Sequence, residues 1–373
     1  MTFSQAKKLI KKIYAELASI PAVSGDEELC AEKVKHTVES LTDFFTEFSA
    51  LPAGGMLFTH RCGIENAKKL LIDAHFDTVG FAVTELLDGG FVRVSPVGGV
   101  DRRLLFASEI EIYGKKTVKG VFVSNPPHLS KNSNDSDALP QIEDIPVDTG
   151  LSDKALRDTV SVGDTAGFVF SPCEMLNDIL CGRSMDNRIC ATAAVLSAIM
   201  LSQDEEYRDE CDIILSLSSA EEVNGTGGAY LGKLCADAAV VLDVNFGRDK
   251  DIPENVSYNF GEGCGVSYSC TTSRAFSDCV VNGARMRDIP ICTLVEAKHT
   301  GTNAHHLANA HLATPCAVLS IPEKYMHQAH ETVDMKDVYS CARTLCAVAY
   351  DFPDSVSELE KCRVIKKLPA REV

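Results

Sequence analysis

Two histidines and five carboxylates stand out in this 373-residue sequence because of where they fall relative to apolar runs. His75 and Asp77 form the triplet His75-Phe76-Asp77, directly after the run Lys69-Leu70-Leu71-Ile72-Asp73-Ala74. Glu221-Glu222 follows a second apolar run ending at Leu217, Asp243 lies inside a third, and His327 closes Tyr325-Met326-His327 after Ile321-Pro322. Asp186 opens a stretch rich in Ala and apolar residues. Singly these say little, since an Asp at a helix start is ordinarily a cap and a Glu-Glu pair is ordinarily solvated. Asp243 is harder to dismiss, because a carboxylate inside an apolar strand persists when it is paired or bound to a metal.

Together they make a nitrogen and oxygen donor set without cysteine, suited to zinc, cobalt or manganese. Two His and three carboxylates exceed what one four-coordinate catalytic ion needs, so two divalent ions sharing a bridging carboxylate fit better. Adjacent side chains of an extended segment point to opposite sides. One member of the Glu-Glu pair can then ligate while its neighbour faces a metal-bound water as general base. In His-x-Asp, the carboxylate can accept the second ring N–H and fix the tautomer.

The elements that must position these residues follow from periodicity. Met1 to Ile13 has the apolar spacing of a helix, and Ser24 with Glu27 reads as a capping box opening a second helix from about Gly25 to Leu41. After a turn at Gly54-Gly55 come two short strands, the second being the run before His75. From Gly80 to about Ser171, Val, Ile and Phe alternate with polar residues in short runs broken by Gly pairs, which predicts a small antiparallel barrel or sandwich. Within it, Lys131 to Asp137 reads as an exposed loop. Strands alternating with helices resume at Met185, with strands at Asp212–Leu217, Ala238–Val244, Ile291–Val295 and Pro315–Ile321. The expected architecture is a discontinuous α/β domain, residues 1–79 and 172–373, with a mixed, largely parallel sheet flanked by helices, interrupted by an all-β insertion over 80–171. Open α/β sheets place their sites at the carboxyl ends of strands, where the singled-out residues fall.

Composition narrows the function classes. With 36 Lys and Arg against 53 Asp and Glu, the net charge of −17 argues against nucleic-acid binding, which needs a basic face, and against docking on an anionic membrane. No run approaches 18 apolar residues without a charge, and Lys7, Lys8, Lys11 and Lys12 interrupt any signal-peptide core. Fifteen cysteines without a Cys-x-x-Cys pair predict reduced thiols in the cytoplasm.

The strings Asp73-Ala74-His75-Phe76-Asp77-Thr78-Val79-Gly80, Met185-Asp186-Asn187-Arg188, Glu221-Glu222-Val223-Asn224-Gly225-Thr226-Gly227-Gly228-Ala229 and Ser320-Ile321-Pro322-Glu323-Lys324-Tyr325-Met326-His327 resemble the tetrahedral aminopeptidases, the glutamyl and deblocking group of binuclear metallopeptidases. Dipeptidase and acylase-type relatives carry their extra domain between the fourth and last ligands. Here the longest interval is the first, about 111 residues from His75 to Asp186, against about 84 from Asp243 to His327. The resemblance implies one metal on His75 and Asp243, the other on Glu222 and His327, and Asp186 bridging, with zinc first and cobalt or manganese as alternatives. It further implies Glu221 as general base toward a metal-bridging water, Asp77 as orienter of His75, and peptide substrates with a free N-terminus. Self-association between dimer and dodecamer, through the inserted domain, is also implied.

This chain departs from the family pattern at Thr78, where Glu is usual, at Asn303 for Asp, at Lys324 for Arg, and at Gln328-Ala329-His330 after the last ligand. Two departures are expected near the substrate, bearing on side-chain preference. His305, His306 and His311 read as lining the site or facing solvent beside a helix capped by Asn303, and His330 is an alternative to His327. Gly225-Thr226-Gly227-Gly228 reads as a tight turn into a helix, and the charged tail after Glu358 as surface. The competing functions are another amidohydrolase or a glycan hydrolase on the same scaffold, or a metal-bound assembly subunit whose activity has lapsed.

Overall fold

The computed structural model describes residues 1–52, 54–124, 139–310 and 313–365. The tract Lys131 to Asp137, His311 and the tail from Lys366 lie outside the described residues. Helices α1 (Phe3–Ala18) and α2 (Ala31–Leu41) precede strands β1 (Glu47–Ala50), β2 (Met56–His60) and β3 (Lys68–His75). Next come β4 (Gly80–Leu86), β5 (Phe91–Val97), β6 (Glu109–Tyr113), β7 (Thr117–Phe122), β8 (Val147–Asp148), α3 (Asp153–Thr159) and β9 (Thr165–Phe168). The chain then runs through β10 (Cys173–Glu174), β11 (Ile179–Gly182), α4 (Met185–Ser202), β12 (Cys211–Ser218), α5 (Thr226–Leu231) and β13 (Ala238–Phe246). It ends with β14 (Cys264–Ser269), α6 (Arg274–Met286), β15 (Ile291–Glu296), α7 (Asn303–Ala308), β16 (Cys316–Lys324), β17 (Glu331–Asp334) and α8 (Met335–Ile365).

The main sheet has the order β1-β2-β12-β3-β13-β16-β17-β11-β10, with β14 joining β16 to β15. Its centre, β12-β3-β13-β16, is parallel, and antiparallel pairs close both flanks. Parallel strands covered on both faces read as continuous apolar runs, and β3 and β13 follow this at Leu70 to Ile72 and Ala238 to Leu242. Leu70, Ile72, Val240 and Leu242 face a core shared with α1, α4, α6 and α8, while Leu71, Ala239 and Val241 face α5 and α7. Helix α4 is buried nearly all round from Met185 to Ala198, as an apolar helix between layers must be.

The residues between β3 and β10 form a closed six-stranded antiparallel barrel, β4-β5-β8-β7-β6-β9, around its own core of Phe81, Val92, Val94, Ile110, Ile112 and Phe122. Among its described residues the expected all-β insertion thus also contains an α-helix, α3, started by the Ser152 hydroxyl accepting from Ala155 N. The second helix also starts differently. Residues Glu27–Cys30 form a 3-10 turn before α2, and Ser24 caps nothing: its hydroxyl donates to Asp77. A capping box is a local reading, and here a buried carboxylate 53 residues away takes the hydroxyl instead.

Gly80 marks the crossing from sheet to barrel. A Cβ there would come 2.6 Å from the Ala166 carbonyl oxygen and 2.7 Å from Val23. Gly80→Ala must push β4 from β9, so it should destabilise the protein by about 1–3 kcal/mol, read as a lowered urea midpoint.

Candidate metal centre

Register brings the singled-out residues together. His75 is the last residue of β3, and Leu242 of β13 lies opposite Ala74, so Asp243 comes level with His75. Glu221 and Glu222 occupy the turn after β12, Asp186 lies in the first turn of α4, and His327 follows β16 with a left-handed backbone at φ 64°. His75 Nε2 is 3.0 Å from Asp186 Oδ1 and 3.6 Å from Asp243 Oδ1. His327 Nε2 is 3.3 Å from Asp186 Oδ2 and 3.2 Å from Glu222 Oε2. Two donor groups result, His75-Asp186-Asp243 and Asp186-Glu222-His327, each with its atoms within 4.8 Å of one another. Asp186 belongs to both, one oxygen toward each. Glu221 Oε2 stands 4.0 Å from His75 Nε2 and belongs to neither.

Both imidazoles present Nε2 because Nδ1 is engaged elsewhere. His75 Nδ1 lies 3.1 Å from the Asp77 carbonyl oxygen, and His327 Nδ1 lies 3.0 Å from the Gly99 carbonyl oxygen in the loop after β5. The barrel therefore orients one of the two histidines. The Asp77 carboxylate, expected to take the His75 ring N–H, mainly serves the Glu-Glu turn, and the atom nearer that ring is the Asp77 backbone carbonyl oxygen. The carboxylate is 3.5 Å from His75 Nδ1, and it accepts from the backbone N–H of Glu221 at 3.0 Å and of Glu222 at 3.1 Å. Glu27 accepts from Ala220 N at 2.9 Å, so three successive amides of the Glu-Glu turn end on buried carboxylates. On the far side Glu331 accepts from Met185 N and His327 N, tying the start of α4 to the last histidine. The roles of Glu27 toward Ala220, of Glu331 toward Met185 and of Gly99 toward His327 carried no sequence signal, because each joins residues far apart along the chain.

The charges are crowded. Burial, with repulsion from Asp243, Asp186 and Glu222 that His75 only partly offsets, pushes the Glu221 carboxyl up to about 9. Burial and Asp186 raise Glu222 to about 7. Burial, partly offset by the His75 hydrogen bond, raises Asp243 to about 6. Burial opposes charge on His327, but Asp186 and Glu222 override it and lift the ring to about 11. Burial also disfavours ionised Asp186, yet hydrogen bonds from His327 and His75 hold it below the usual carboxylate range. Glu222 Oε1 is buried without a partner. A surplus of buried carboxylates, an open carboxylate oxygen and two oriented Nε2 atoms is the chemistry of a site for divalent cations.

The other sequence candidates fall outside these groups. His330 is exposed and lies along a groove with Phe106. His306 packs its ring against the Gly225 turn, and His305 lies beside His299 with ring centroids 5.1 Å apart. Thr302, not Asn303, caps α7. Asn303 is buried, and its amide donates to Asp73 at 3.0 Å and Ser218 at 2.8 Å. An Asp there would set two buried carboxyl groups against each other, so this departure answers to Asp73. Lys324 lies over the Phe260 ring at 4.5 Å. Gly225, at φ 66°, starts α5 as the tight turn predicted.

Metal-stripped protein should show the cost of this crowding. Glu221, Glu222 and Asp243 have folded-state values above their unfolded ones, so the stability they supply is present below about pH 4 and is lost as pH rises through about 6 to 9. The raised His327 acts in the same direction. The stripped protein should lose several degrees of Tm between pH 6 and 9 in a thermal scan, and a divalent metal should restore them. A Tm that is flat or rises over that range speaks against the arrangement.

The sequence profile of the M42 glutamyl aminopeptidases matches residues 54–344. The lysyl aminopeptidase of Pyrococcus furiosus is 28% identical over 339 residues, 89% of this chain and 93% of that protein. An aminopeptidase from Desulfurococcus kamchatkensis superposes with a TM-score of 0.83 at 23% identity, covering 99% of each chain. The TET1 peptidase of Pyrococcus horikoshii, which can assemble into a tetrahedron or a large octahedral shell, superposes at 0.77 with 22% identity over 92% of this chain and 99% of its own. Matched profile, shared fold and clustered donors agree: the chain belongs to the M42 glutamyl aminopeptidase family of metal-dependent aminopeptidases.

Proposed function

We propose that the protein removes residues from the free N-termini of short peptides, with Glu221 as general base. The observation that carries this reading is the pair of donor groups sharing Asp186, with Glu221 beside them and outside both. His75 and Asp243 would hold one ion, Glu222 and His327 the other, and Asp186 would join the two. Bound there, the ions, zinc first with cobalt or manganese as alternatives, would supply Lewis-acid polarisation of the scissile carbonyl and acidify the attacking water. Glu221 takes a proton from that water through its carboxylate and passes it to the departing amine. Asp77 and Glu27 hold the backbone of the 220–222 turn, which keeps the Glu221 carboxylate toward His75 and the Glu222 carboxylate toward His327.

Residues 1–79 and 172–373 act as the catalytic domain in this reading, and 80–171 as an assembly domain whose exposed Leu104 and Phe106 support contact with further copies. The expected state is a homo-oligomer between dimer and dodecamer. Fourteen cysteines among the described residues are free thiols, which supports a cytoplasmic setting. Among the described residues, no helix is long and apolar enough to cross a membrane.

Glu221→Gln keeps shape and removes the base, so kcat should fall by about 10²–10⁴ while metal content stays at the wild-type level. Wild-type turnover in that variant would sink the assignment. Asp77→Asn can no longer accept from both amides of the pair, and should lower kcat by about 10–100-fold with the fold intact by circular dichroism. Unchanged kcat there would return Asp77 to a packing role.

A further inference from the structure

Beside the centre opens a cleft of about 410 Å³, walled by Asn245 and Phe246 of β13, Glu296 at the end of β15, Thr300 and Thr302 before α7, and Met326. Four of its carboxylates, Asp186, Glu221, Glu222 and Asp243, crowd the centre, where two divalent cations would offset their charge. The fifth, Glu296, stands apart. Among the described residues no lysine or arginine lines the cleft, and its one histidine, His327, pairs with Asp186 and Glu222, not with Glu296.

Glu296 is also aimed. Its Oε1 accepts from Ser267 Oγ at 2.5 Å and from Asn245 Nδ2 at 3.1 Å. Both contacts fix that oxygen and leave Oε2 free to receive a donor from the cleft. Asn245 lies two residues beyond Asp243 on the same strand, so the two side chains share a face and start roughly 6.6 Å apart. A substrate's α-amine is bonded to the carbon next to the scissile carbonyl and must sit at the centre itself. A group further out along the strand meets the end of the first residue's side chain instead. Partly exposed Phe246 offers an apolar wall for the methylenes of a long side chain on the way.

We infer that Glu296 is a specificity-determining residue that selects peptides beginning with lysine or arginine, whose cationic head it receives on Oε2. This inference rests on the aminopeptidase reading above. It separates the chain's preference from the acidic residue in the family's name: a glutamate side chain entering this cleft would face an unanswered carboxylate. The net charge of −17 also favours the approach of cationic peptides.

The test is a kinetic profile of the metal-loaded, full-length protein on Lys-, Arg-, Leu- and Glu-p-nitroanilides, paired with calorimetric binding of free L-lysine, L-leucine and L-glutamate. A charged hydrogen bond gained by the basic residues predicts kcat/KM for Lys and Arg about 10–100-fold above Leu, with Glu lowest. Glu296→Gln should lower the Lys to Leu ratio by about the same factor, chiefly through KM, and Glu296→Lys should raise the Glu to Lys ratio above the wild-type value. Preference of the wild type for Leu or Glu, or a Lys to Leu ratio unchanged in Glu296→Gln, overturns the assignment. If no substrate is cleaved but lysine binds more tightly than leucine and glutamate, the cleft assignment stands and the hydrolytic reading fails. If nothing is cleaved and lysine is not preferred, both fall.

Discussion

Asp186 offers one oxygen to His75 and the other to His327, and the remaining carboxylates of the centre are arranged around that division. So many buried acidic groups within reach of one another repel, and two imidazoles do not neutralise them. Their pKa values record the conflict, with Glu221, Glu222 and Asp243 pushed up and both histidines forced toward the charged form. Divalent cations would resolve it in one step, supplying positive charge that the Nε2 and carboxylate atoms could share as ligands.

The framework around the centre serves to keep that crowded geometry from relaxing. The parallel register of β3, β12, β13 and β16 fixes where His75 and Asp243 emerge. The Glu-Glu turn, which lies outside any strand, is held by its own amides through Asp77 and Glu27. Gly99 from the barrel and Glu331 from β17 fix the ring and backbone of His327. The barrel is therefore part of the site as well as a separate layer, and separating it from the sheet would free an imidazole.

Much of this was legible in the sequence, for definable reasons. Strands buried on both faces read as continuous apolar runs, so the runs of β3, β12, β13 and β16 mark these strands close to their observed limits, and the site residues fall where the runs end. What escaped depended on partners far along the chain. Ser24 and Glu27 have the spacing of a capping box, but their side chains serve Asp77 and Ala220. Asn303 looked like a helix cap and is a donor to buried Asp73. The task of Asp77 toward the backbone of Glu221 and Glu222 required knowing that the turn after β12 folds over the end of β3. Short β1 and α3 lack enough residues to display a period.

The central claim is that one shared carboxylate organises two cation sites. Equilibrium titration of zinc into the chelator-stripped chain, with bound metal counted by mass spectrometry of the native protein, tests it most directly. The arrangement predicts two ions per chain, falling to one or none in Asp186→Ala. One ion or none in the native chain, or two ions retained without Asp186, would contradict it.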